Sequence, residues 1–142
     1  MQPVLPDSSV CIAALRAGDE AVSGLKWLPP HARVWFSAVV LEELYAGASG
    51  RDRHWVEWLE REFGRVGRIL VPSLSDWTQT GRVLAQVAAA YGYEMIGRGR
   101  LTNDALIAVS AARQGITVVT ANERDFNRLA RFWSFQYEVR KI

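Results

Sequence analysis

From Asp104 to Arg113 the chain carries apolar side chains almost all the way round a helix, with Ala105, Leu106, Ile107, Ala108, Val109, Ala111 and Ala112 leaving little polar surface. Such a helix must be covered on more than one side. Gly115 ends it, and the β-rich run Thr117 to Thr120 follows. This alternation recurs along the sequence. Val4-Leu5 reads as a strand ended by Pro6, and Ser8 to Ala17 as a helix stopped by Gly18. A helix from about Asp19 to Leu28 is broken by Pro29-Pro30, and Val34-Trp35-Phe36 reads as a second strand. Helices are expected over Ala38 to Ala48 and Asp52 to Phe63, the latter with a stripe of Trp55, Trp58, Leu59 and Phe63. Ile69-Leu70-Val71 is a third strand, and Ser75 to Tyr91 a long helix with Ser75 as its N-cap. Tyr93 to Leu101, with Gly97 and Gly99, reads as a loop, a short helix follows Asn122, and Phe135 to Val139 forms a last strand. Strands alternating with helices give parallel pairing through right-handed crossovers. The expected fold is a three-layer α/β/α sandwich with a central, mainly parallel sheet. Nearly half of the 142 residues are apolar and no linker or repeat divides them, so residues 1–142 read as a single domain.

Sheets of this kind bind ligands outside the carboxyl ends of their strands. Asp7 and Asp125 lie just past such ends, Asp104 falls in the first turn of an expected helix, and Glu43 lies inside another. Each acid has a simpler explanation when taken alone. Asp7 suits a helix N-cap, Asn122 through Asp125 resembles a capping box, and Asp104 falls in the first turn of its expected helix, where the macrodipole favours an anion. Glu42 and Glu43 flank the apolar face of their helix, each roughly 130° from its centre, so the 3.6-residue period does not choose between them. Together the acids suggest a pocket of negative charge that would take a divalent cation.

Residues 103–126 read Asn-Asp-Ala-Leu-Ile-Ala-Val-Ser-Ala-Ala-Arg-Gln-Gly-Ile-Thr-Val-Val-Thr-Ala-Asn-Glu-Arg-Asp-Phe. This segment strongly resembles the C-terminal half of PIN-domain ribonucleases, the toxins of VapBC-type toxin–antitoxin pairs. Asp7-Ser8-Ser9-Val10 resembles that family's first acidic element, and Ser37 to Gly47 its second. In that second element the acid directly precedes Leu and a Gly follows four residues after it, which places the family's glutamate at Glu43. Pro6 departs from the pattern, standing where the family carries an apolar strand residue. The resemblance spans Val4 to about Val139.

It implies a Mg²⁺-dependent endoribonuclease in which Asp7, Glu43, Asp104 and Asp125 are catalytic. Asp7, Asp104 and Asp125 would hold the metal, for which Mn²⁺ would substitute. The expected chemistry is hydrolysis of an RNA phosphodiester by a metal-activated water, leaving a 3′-hydroxyl and a 5′-phosphate. Thr120 and Asn122, with Ser8 or Ser9, would aim the carboxylates. Arg98 and Arg100, in the loop before Asp104, are candidates for substrate phosphates. A small cognate antitoxin and a homodimer are the implied protein partners. The alternative is a PIN-like module that binds RNA or protein without cutting.

Net charge is only +2, too little to prove a nucleic-acid partner, although only Lys26 and Lys141 among the basic residues are lysine. Arginine suits bidentate phosphate contacts as well as ordinary surface pairs. Cys11 is the sole cysteine, which excludes an intrachain disulfide and fits a reducing compartment. No signal peptide or span of ~18–20 apolar residues is present, so the expectation is a cytoplasmic protein with no membrane partner. A haloacid-dehalogenase-like phosphatase would need a second Asp at position 9, which is Ser. A receiver domain would need an acceptor Asp after the third strand, where Pro72-Ser73 stand.

Overall fold

The structure, a computed structural model, describes residues 2–18, 28, 32–95 and 100–142, with positions 95 and 100 described by backbone alone. Six strands and six helices follow one another within these residues: β1 (Pro3–Pro6), α1 (Ser8–Arg16), β2 (Arg33–Val34), β3 (Phe36–Ser37), α2 (Ala38–Gly47), α3 (Arg51–Arg65), β4 (Ile69–Leu70), α4 (Leu74–Tyr91), α5 (Arg100–Gln114), β5 (Thr117–Thr120), α6 (Glu123–Ala130) and β6 (Tyr137–Val139). A 3₁₀ turn at Tyr93–Met95 follows α4. The helix expected from about Asp19, and the guanidinium groups of Arg98 and Arg100, lie outside the described residues.

The main sheet has strand order β2-β1-β5-β6, and every pairing in it is parallel. A separate parallel pair joins β3 to β4. The fold is thus α/β with a central parallel sheet, as the alternation predicts. The expected second strand is in fact two. Trp35 N–H still bonds Val4 O of β1, whereas Phe36 N–H turns to Arg68 O, so the chain changes sheets at Trp35.

Proline at both ends of the central strand β1 is tolerated because N–H groups alternate sides along a strand. Asp7 N–H points to Val119 O of β5, so the side missing an N–H at Pro6 faces β2, past its last paired residue, Val34. Pro3 would face β5, one position before pairing begins at Val4–Thr117.

Helix α5 is the centre of the packing. Its Ala105, Leu106, Ile107, Ala108, Val109 and Ala111 are all buried, and it packs against α2, α4, α6 and β5. Ser110, buried in the same helix, is satisfied by donating to Leu106 O at 2.7 Å. Gly115 closes α5 with φ +68°, a left-handed conformation that glycine adopts without a Cβ penalty. The Trp55, Leu59 and Phe63 side chains of α3 are core, and Phe63 meets the Phe36 ring at a centroid distance of 4.6 Å. Among the described residues no helix is long and apolar enough to cross a membrane.

Two expected boundaries move, and one expected cap lacks its side-chain bond. The cap of α4 is Ser73 rather than Ser75: Ser73 Oγ accepts from Asp76 N, and the Asp76 carboxylate accepts from Ser73 N, a complete capping box. Helix α5 begins at Arg100, so Asp104 lies in its second turn, beyond the terminal N–H groups that the macrodipole argument requires. Asn122 is the N-cap of α6, but its side chain makes no capping bond.

Candidate active site

Parallel strands bring their carboxyl ends to one edge. β1 delivers Asp7 there, β5 delivers Thr120, β3 leads into α2 with Glu43, and the start of α6 brings Asp125. Three of the acids are withdrawn from water: Asp7 is 2 % exposed, Asp104 5 % and Asp125 7 %. Thr120 beside them is fully buried.

One connected network joins them. Asp7 accepts from Ser9 Oγ and Thr120 Oγ1, each at 2.5 Å, and caps α1 by accepting from Val10 N at 3.3 Å. Thr120 Oγ1 in turn accepts from Asn122 N at 2.9 Å. Asn122 Nδ2 then donates to Asp104 Oδ2 at 3.2 Å and to Asp125 Oδ2 at 3.0 Å. The Asn122 amide is therefore the link between the last two acids, which is why it is not spent on the helix end. Ser9 Oγ also accepts from Ala121 N, tying the start of α1 to the end of β5.

Glu43 stands at the other side of the site. It is half-buried, whereas Glu42 is exposed. Its Oε1 is buried and has no hydrogen-bond partner. Burial pushes its carboxyl above the ordinary range; the Asn103 and Ser8 side chains pull it partly back, and the charges of Glu42 and Asp7 push it further up. Asp7 is raised as well, by burial first, against the lowering effect of Ser9, Thr120 and the Val10 N–H. Cys11 is fully buried, and its thiol is pushed up by burial and then by the negative charges of both Asp7 and Glu43. Two carboxylates thus act on one spot.

The donor set suits a hard divalent cation: four carboxylates, one of them with an orphaned buried oxygen. Among the described residues no group of three or more Asp, Glu, His or Cys side chains is placed to hold a metal ion. The acids are held in place by hydroxyl and amide donors instead. Beside Glu43, a cleft of about 370 Å³ runs between α1, α2 and the start of α3, lined by Ile12, Leu15, Arg16, Leu44 and Asp52 among others.

Sequence reasoning named Ser8 or Ser9 as an aid to Asp7. Ser9 makes that contact, while Ser8 acts on Glu43. Asn103 was missed, though it directly precedes Asp104 in the quoted segment. Arg124 was missed too: its Nε lies 3.3 Å from Asp125 Oδ1.

Residues 4–132 match the PIN domain family. The chain belongs to the PIN-domain family. No curated protein matches it in sequence. Solved structures share the fold of this PIN domain. One is DNA-bound VapBC from Salmonella typhimurium, with TM-score 0.68 and 22 % identity over 98 % of each chain. Another is VapBC2 from Rickettsia felis bound to a fragment of its promoter DNA, with TM-score 0.65 and 21 % identity over 99 % of this PIN domain and 100 % of that chain. A third, FitAB bound to a DNA fragment, has TM-score 0.60 and 21 % identity over 96 % of this chain and 94 % of that one.

Proposed function

We propose that this PIN domain is a Mg²⁺-dependent endoribonuclease, the toxin of a toxin–antitoxin pair. The observation that carries the reading is the single network running from Asp7 through Thr120 and Asn122 to Asp104 and Asp125, with Glu43 close enough to Asp7 to feel its charge. Likeness to VapBC chains supports the biological setting.

Asp7, Asp104 and Asp125 would hold Mg²⁺, with Mn²⁺ able to substitute. When bound, the cation supplies positive charge against the phosphate and lowers the pKa of water. The chain's own groups do the rest. Thr120 and Ser9 fix the Asp7 carboxylate, and Asn122 holds Asp104 and Asp125 at a set separation. Water attacks phosphorus as the bond to the 3′ oxygen breaks, giving a 5′-phosphate and a 3′-hydroxyl. The Glu43 carboxylate takes a proton from the water while solvent supplies one to the departing 3′ oxygen, a role suited to a carboxyl whose proton affinity is raised.

The cleft beside Glu43 presents Ile12, Leu15 and Leu44 together with Arg16. It is the surface on which an antitoxin segment would lie, close enough to interfere with Glu43. The toxin would act as a homodimer in the cytoplasm, the reducing compartment that a single buried thiol suits.

Purified protein incubated with labelled RNA and Mg²⁺ should cut it, and EDTA should stop the cutting. RNA bound but left whole in the presence of Mg²⁺ or Mn²⁺ would instead mark a binding module.

A further inference from the structure

Helix α6 begins at the site and carries Arg124, Arg128 and, at its C-cap, Arg131. At about 100° per residue the three fall within a ~60° sector of one helix face. Glu123 and Asp125 lie about 100° to either side of Arg124, outside that sector. With 1.5 Å rise per residue the arginines are spaced about 6 Å and then about 4.5 Å along the axis, leading away from Asp125. Arg124 is largely exposed and reaches back to Asp125 Oδ1 at 3.3 Å, so the row starts at the rim of the acid pocket.

The far end of the row is held in place. Arg128 lies over the Tyr91 ring with its guanidinium 4.7 Å from the ring centroid, and Arg131 lies over the same ring at 5.5 Å. Arg131 also donates to the Tyr91 hydroxyl and sits 5.7 Å from the Phe132 centroid. Stacking uses the flat face of a guanidinium, while phosphate is bound by its N–H edge, so the two are compatible. Groups already ordered lose less freedom when a ligand arrives.

We infer that this face of α6 is a phosphate track, along which Arg124, Arg128 and Arg131 bind the backbone of the RNA strand on one side of the cleavage point. This rests on the nuclease reading above. The contacts are to phosphates, so the track contributes affinity and register without reading sequence. It extends the substrate site from the acids across the outer surface of α6 to the end of α4.

The test measures binding of a short labelled single-stranded RNA to the full chain in an Asp7→Asn background, across a range of KCl concentrations. Arg124→Gln and Arg131→Gln should each weaken binding several-fold at low salt and make the slope of log K against log salt shallower by about 0.7. Arg131→Lys should restore the slope, because it keeps the charge. Arg124 is mostly exposed, so its variant keeps the test open if Arg131→Gln loosens α6 from α4. A lowered melting temperature with unchanged slope in both Gln variants overturns the track while leaving the nuclease reading intact, provided the wild type still cuts RNA. A wild type that neither binds nor cuts RNA overturns both.

Discussion

Thr120 shows how much a single side chain can settle. It is fully buried, donates to Asp7 and accepts from the Asn122 N–H. Thr120→Val keeps the shape but leaves both partners short of a bond, so a destabilisation of about 1–3 kcal/mol is expected in denaturant titration. Cleavage should fall roughly 10- to 100-fold, as for loss of a group that orients a ligand. Asp7→Asn should behave in the opposite way towards stability. Burial raises the Asp7 carboxyl, so its charge is costly in the metal-free protein, and Asn serves equally well as an N-cap. Asp7→Asn and Asp104→Asn should abolish cleavage while the metal-free melting temperature stays level or rises. A large loss of melting temperature in both would mark these acids as structural. Glu43 was not separable from Glu42 by helical period; burial against Ser8 and Asn103 distinguishes them, and that contact exists only once α1, α2 and α5 have packed.

At the scale of elements, an ion pair ties α4 to α5 beside their apolar packing. Arg113 grips Asp76 with Nε at 2.9 Å from Oδ1 and Nη2 at 2.8 Å from Oδ2, while Asp76 also completes the cap of α4. Burial alone would raise the Asp76 carboxyl, but Arg113 and the Ser73 N–H outweigh it and hold it below the ordinary range. A lowered folded pKa means the pair stabilises above about pH 4 and is lost as pH falls through the depressed value. Asp76→Asn should therefore cost about 1–2 kcal/mol at neutral pH, allowing for the partly exposed Arg113. It should also flatten the acid-side decline in melting temperature, which a pH series of thermal melts would record. The Ser73-Leu74-Ser75-Asp76 run explains why the helix start was misread. Two serines compete for the cap, and only the one three residues before Asp76 can form the reciprocal pair. The start of α5 was hidden for another reason: the glycines at 97 and 99 suggest a loop, and nothing local shows that Arg100 to Asn103 already join the helix. The interior of α5 and the span of β5 were legible outright, because an all-round apolar helix and a fully buried strand leave little freedom.

For the whole molecule, parallel topology is what turns scattered acids into neighbours. Alternating strands and helices announced that topology in the sequence, and of the four acids in the family pattern Asp7, Asp104 and Asp125 share one hydrogen-bonded network. The division of the expected second strand at Trp35 was not legible, since the exchange of partners from Val4 to Arg68 is a tertiary choice that leaves no local mark. Burial raises the proton affinity of Asp7 and Glu43, so a cation bound beside them should relieve the cost of their charge: Mg²⁺ or Mn²⁺ should raise the melting temperature of the wild type and leave Asp104→Asn nearly unmoved. The most direct measurement is anomalous diffraction from a crystal soaked in Mn²⁺. The account predicts a manganese peak bounded by the carboxylates of Asp7, Asp104 and Asp125; a soaked crystal with no peak there would contradict it.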